Sequence, residues 1–181
     1  MSLLFVSVGT DHHPFVRLLT WVERFSATHP DVHVVVQHGY SPAPRLVEAH
    51  EMLAASPLIE LLEKADAVVT HGGPGTILEA RGAGHTPVVV PRERRFGEHV
   101  DDHQVRFVTR LAGSGMVDMA LDEPQFERAV EAALLRGRQD VEEDTDVTAA
   151  VARFAGLVDT LVHGEVAPGV ASSERTRRVR T

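Results

Sequence analysis

Apolar residues along this chain alternate between two spacings. Unbroken or nearly unbroken apolar runs occupy residues 3–8 (LLFVSV), 32–37 (VHVVVQ), 67–70 (AVVT) and 87–90 (PVVV). Short Val-rich runs of this kind suit strands buried on both faces of a parallel sheet. Weaker strand candidates lie at 51–54 and 116–119. Between the runs, apolar positions return at helical spacing. Within residues 14–27, Phe15, Leu18, Leu19, Val22 and Phe25 form one stripe, the pattern of an amphipathic helix. Ser56 and Pro57 precede Leu58, Ile59, Leu61 and Leu62, so Ser is read as an N-cap and Pro as the first helical residue. Further helices are predicted over 76–82, 100–112, 124–135 and 148–163. The strand–helix alternation predicts an α/β fold with a doubly wound parallel sheet and right-handed crossovers. In such a sheet, ligands sit beyond the carboxyl ends of the strands. The Gly-, His- and Arg-rich turns of this sequence all fall at those ends.

Length and charge narrow the classes. The chain has 181 residues and no cysteine. That length is one domain with room for a sizeable core, and a disulfide scaffold or thiolate metal site is excluded. We expect the domain to fill residues 1–163. The acidic run at 140–147 reads as a solvated linker or helix start. Residues 164–181 read as a disordered, Arg-rich tail. The net charge of −8 argues against a nucleic-acid binder held by phosphate contacts. No apolar run approaches the roughly 18 residues of a membrane span. The amino-terminal segment lacks a basic start, so a cytoplasmic location is expected. Lys64 is the sole lysine and no glycine-rich loop precedes it, which sets P-loop chemistry aside.

Two segments carry the candidate chemistry. The first is His71-Gly72-Gly73-Pro74-Gly75-Thr76-Ile77-Leu78-Glu79. It leaves a strand and enters a helix. Its glycines let a ligand approach the backbone closely, and the helix start offers unpaired N–H groups and a dipole that favour an anion. Thr76 is placed to cap that helix or donate to a phosphate oxygen. Glu79, one turn on, is a carboxylate of the kind that reads ribose hydroxyls. Leu78 stands where the dinucleotide fingerprint has its third glycine, so that fingerprint is absent. A tight turn serving only helix–strand packing is the plainer alternative.

The second segment, residues 91–104, packs three Arg, two His, one Gln and four carboxylates into fourteen residues. Arg92 at a strand end could pair with a diphosphate, and the helix start could bind hexose hydroxyls. His99 and His103 share a helix face. A zinc-protease motif would need Glu at the position of Val100, so a metal site with Asp102 is weighed and not adopted. His12 and His13, after Gly9-Thr10-Asp11, read as rim histidines.

Taken together, H-x-G-x-G-T-x-x-E (His71 to Glu79), G-x-x-P-V-V-V-P-R (Gly84 to Arg92) and E-H-x-x-D-H-Q (Glu98 to Gln104) resemble the donor-binding half of GT-B glycosyltransferases. The likeness is to the glycosyltransferase family 28 C-terminal domain. Within it, the chain resembles the small subunits of two-chain enzymes that glycosylate lipid-linked or exopolysaccharide precursors. The opening V-S-V-G-T-x-x-x-P-F and the Q-H-G-x-S at Gln37–Ser41 fit as well, so the likeness spans roughly residues 3–120.

The resemblance implies a single Rossmann-like half that binds a UDP-sugar. Gly9 and Thr10 would lie beside the diphosphate, and Gln37, His38 and Gly39 near the base. His71, Gly72, Gly73, Gly75 and Thr76 would hold the diphosphate, and Glu79 the ribose. Arg92, Glu98, Asp102, His103 and Gln104 would line the sugar end. No metal or other cofactor is expected. Displacement would invert the anomeric centre, with the general base and the acceptor site on a membrane-associated partner subunit. That partner would bring the chain to the inner membrane face, and an exposed docking face could let the isolated chain self-associate. Against this stand a non-catalytic nucleotide-sugar-binding module and an epimerase or hydrolase of the same fold.

Overall fold

The computed structural model describes residues 1–139. The linker, last helix and tail expected beyond them lie outside the described residues. Six strands form one wholly parallel sheet: β1 (Ser2–Ser7), β2 (Val32–Gln37), β3 (Glu48–His50), β4 (Ala67–His71), β5 (Val88–Val90) and β6 (Asp118–Met119). Five α-helices connect or follow them: α1 (Val16–Thr28), α2 (Ala55–Lys64), α3 (Pro74–Gly82), α4 (His103–Gly113) and α5 (Glu123–Arg136). The strand order is β3-β2-β1-β4-β5-β6, the doubly wound order expected from strand–helix alternation.

The register explains the unbroken apolar runs. Leu4 pairs with Val34 and Ala67, and Val6 pairs with Val36 and Val69. These side chains share one face with Leu18, Val22 and Phe25 of α1 and Phe126, Val130 and Ala133 of α5. Phe5, Val35 and Val68 occupy the other face, beneath Leu62 of α2 and Ala80 of α3. Toward β5, that second face is continued by Val89 with Ile77, Phe107, Val108 and Leu111. A strand covered on both sides needs apolar residues at successive positions, which removes the period-two signal.

Several boundaries differ from the sequence reading. The edge strand β3 sits just before the candidate at 51–54. Its residues Glu48, Ala49 and His50 carry no apolar pattern because none of the three is fully buried. The helix α3 starts at Pro74, two residues before the expected start, with Gly73 as its N-cap and no side-chain cap. The helix α4 starts at His103 and not at residue 100. A short 3-10 turn at Arg94–Phe96 and an irregular loop fill the preceding stretch.

Candidate functional site

The strand order turns back between β1 and β4, and the ends of these two strands meet closely. Gly9 follows β1 with a left-handed φ of 75°, and a Cβ there would fall 2.3 Å from His71 Cε1. His71 ends β4 and is buried. A Cβ on Gly73 would fall 2.2 Å from His71 Nε2. The imidazole is therefore wedged between two glycines, and an alanine at either would displace it. Burial, and then the nearby Arg92 charge, lower the His71 pKa to about 4, against an opposing bond with the Ser7 backbone. The ring is neutral at pH 7 and offers one N–H donor.

The helix α3 begins immediately after this wedge. Ile77 N–H makes the first helical bond, to Gly73 O. Pro74 has no N–H, so Gly75 and Thr76 carry the free donors at the positive end of the helix dipole. Nothing lies within 4 Å of a Cβ built on Gly75, so the backbone there is open to a ligand. Thr76 is the third helical residue, not the cap. Glu79 is exposed one turn further along.

The β2 end closes over the same point. Gly39 packs so tightly that a Cβ would meet Gly9 O at 2.7 Å. Gln37 is buried, and its carbonyl accepts a bond from Val8 N–H at 3.1 Å. His38 Nδ1 donates to Ser41 O at 2.8 Å. That bond fixes the tautomer and leaves Nε2 as an acceptor. Thr10 is exposed beside Gly9.

The β5 end differs from the sequence expectation. Arg92 is fully buried. Its guanidinium donates to His13 O at 2.7 Å, Glu98 O at 3.1 Å and Val8 O at 2.9 Å, and lies 4.7 Å from the Phe15 ring centre. Such a side chain ties loops together and does not reach a ligand. Glu98 is likewise turned inward. It forms a two-point ion pair with Arg17, at 2.9 and 2.8 Å, and accepts from Glu93 N–H. Gln104 is buried, and its carbonyl oxygen accepts from both Gly72 N–H and Arg92 N–H, at 3.2 and 3.1 Å. It thus locks the ends of β4 and β5 together. Asp102 accepts from Arg94 N–H at 2.8 Å. Half-exposed His103 opens α4 and bonds to Asp101.

The fold also assembles a group that the sequence reading split between two segments. Asp11 accepts from the backbone N–H and ring Nδ1 of His13, at 2.8 and 2.7 Å. Burial opposes ionisation of Asp11, but His13 and the Arg92 charge outweigh it and hold the carboxyl below its ordinary value. His99 Nε2 stands 3.4 Å from the second Asp11 oxygen. The H-x-D-x-H spacing of His99, Asp101 and His103 was the available signal for part of this group. Nothing in the sequence joined it to Asp11.

A six-stranded parallel sheet, a glycine-lined switch point and an open helix start beside it now stand together. The family model for the glycosyltransferase family 28 C-terminal domain matches residues 3–161. The chain belongs to that family. No curated protein matches the sequence. Solved glycosyltransferases share the fold. A glycotransferase of kitacinnamycin is 24% identical with a TM-score of 0.57, the match covering 90% of this chain and 39% of that one. The calicheamicin glycosyltransferase CalG4 is 22% identical with a TM-score of 0.52, covering 88% and 40%. The glycosyltransferase SnogD from Streptomyces nogalater is 26% identical with a TM-score of 0.51, covering 86% and 43%. The chain therefore spans about two fifths of the length of these enzymes. As a family 28 C-terminal domain, it is a glycosyltransferase domain with the Rossmann-like architecture of one GT-B half. Among its described residues, no helix is long and apolar enough to cross a membrane.

Proposed function

We propose that this chain is the UDP-sugar-binding subunit of a two-chain, inverting glycosyltransferase. It would serve a lipid-linked or polysaccharide acceptor that a membrane-associated partner subunit holds, and the donor's sugar would be a hexose or N-acetylhexosamine. The observation that carries the reading is the open start of α3 at the switch point. The Gly75 and Thr76 N–H groups stand at the start of α3, the neutral His71 ring packs against the capping Gly73, and exposed Glu79 lies one turn on.

In the proposed reaction, an acceptor hydroxyl oxygen bonds to the anomeric carbon as the bond to the β-phosphate oxygen breaks. The hydroxyl proton passes to a general base on the partner, and UDP leaves. Charge builds on the diphosphate as that bond lengthens. The fixed N–H groups and dipole of α3 stabilise this charge without reorganising. Glu79 accepts the ribose hydroxyls, and His103 faces the sugar end.

Calorimetry against UDP, its glucose, galactose and N-acetylglucosamine conjugates, and the GDP and TDP counterparts tests the reading. UDP is expected to bind over GDP and TDP. Glu79→Ala is expected to weaken UDP by roughly 10–150-fold, the loss of about 1.5–3 kcal/mol in charge-assisted bonds. Unchanged UDP affinity would remove Glu79 from the nucleotide, and no binding of any donor would overturn the reading. Full transfer to a lipid acceptor by the chain alone would overturn the need for a partner.

A further inference from the structure

We infer that His99, Asp101 and His103 form a binding site for a first-row divalent cation of the zinc–cobalt–nickel group. The inference goes beyond nucleotide-sugar binding and stands whether or not the chain binds UDP. The ligand-capable atoms of the three residues lie within 4.8 Å of one another. His99 Nδ1 is 3.6 Å from Asp101 Oδ1, and the Asp101 backbone N–H approaches that nitrogen at a long 3.4 Å. Nδ1 is thus the nitrogen that carries the lone pair a cation requires. A separation of 3.6 Å is too long for a hydrogen bond. It is close to the ligand–ligand spacing of about 3.3 Å that follows from tetrahedral bonds of roughly 2.0–2.1 Å to nitrogen and oxygen. The His103 ring Nδ1 and backbone N–H donate to the same Asp101 oxygen, so a bound cation would displace the ring proton and move that pair apart. Two imidazoles and one carboxylate are the donor set that this group of metals prefers over calcium or magnesium.

The site is both reachable and supported. The side chains of Asp101 and His103 are about half exposed, so an ion can enter from solution. The loop that carries them is anchored at both ends, by Glu98 on Arg17 and by Asp102 on Arg94 N–H. The positive end of α4 would repel a cation, but the Asp101 carboxylate and the Asp11 carboxylate 3.4 Å from His99 Nε2 offset it. Three protein ligands leave a coordination position for water or a phosphate oxygen.

The test titrates Co2+ and Zn2+ into the untagged full chain, followed by calorimetry and by the visible absorption of bound Co2+. One ion per chain is expected. His99→Ala and His103→Ala should each weaken it about tenfold or more with an unchanged circular dichroism spectrum. His50→Ala serves as the control. It breaks a separate imidazole–carboxylate group, in which Glu48 faces His33 and His50 at 3.1 and 2.9 Å, and should leave the affinity intact. Absence of stoichiometric uptake overturns the assignment, as does uptake that falls in His50→Ala and survives in both other variants.

Discussion

At the scale of single residues, His71 combines a packing role with a titration cost. Its ring fills the gap between Gly9 and Gly73 and is held neutral, with a pKa near 4. The unfolded chain takes up a proton at this position near pH 6.5, while the folded chain refuses it until about pH 4. Its contribution is therefore complete above pH 6.5 and is lost as pH falls toward 4, by roughly 3 kcal/mol at full effect. Urea unfolding of His71→Gln should accordingly show a shallower loss of stability between pH 7 and 4.5 than the parent chain. His85, also lowered by burial, is common to both proteins and cancels in the comparison. Equal slopes would show that the ring titrates freely. Residue identity announced this site unevenly. The glycines around His71 were legible because close approach requires them. The inward turn of Arg92 and Glu98 was not, since an arginine at a strand end suits a phosphate and a set of buried carbonyls equally well. Which one it meets depends on Phe15, Val8 and His13, which are distant in sequence.

Between elements, the Arg17–Glu98 pair joins α1 to the loop before α4, with side-chain exposures of 12% and 3%. Removing one member of so buried a pair leaves a charge without its partner, which typically costs about 3–5 kcal/mol. Arg17→Met should fall in that range by urea denaturation. The double change Arg17→Met with Glu98→Leu should cost less than the sum of the two single changes, by about 1–3 kcal/mol. Strict additivity would mean that the two charges do not interact. The strands that lie at the centre of the sheet were readable from their Val runs, because burial on both faces leaves that signature. The edge strand β3 was misplaced by a few residues. Its ladder to β2 is set by backbone pairing of Val35, Val36 and Gln37 with Glu48, Ala49 and His50, and backbone pairing writes no hydrophobic pattern. The late start assigned to α3 has a similar cause. Pro74 was treated as part of the turn, whereas its fixed φ and missing N–H suit the first helical position.

For the whole molecule, ligand binding and stability are one equilibrium. If UDP occupies the α3 start only in the folded state, a concentration of about 100 times its Kd adds roughly 2.7 kcal/mol. For a chain of this size, that corresponds to a rise of about 5–10 °C in the melting midpoint. Scanning calorimetry should show the rise with UDP and lose about half of it or more in Glu79→Ala at the same UDP concentration. A rise of equal size with GDP and TDP would mean that the diphosphate alone is recognised. The doubly wound order was legible from the alternation of elements, and the switch point followed from it.

Arg92 and Gln104 carry a mechanical consequence. One guanidinium holds carbonyls from the segments after β1 and β5, and one amide oxygen joins the amides that follow β4 and precede the Arg92 side chain. The rim of the sheet is thereby cross-braced into a single plate. A plate of this kind cannot flex one loop at a time. Pulling one of these loops away would break bonds that also hold its neighbours, so the rim yields as a unit, as a braced frame does.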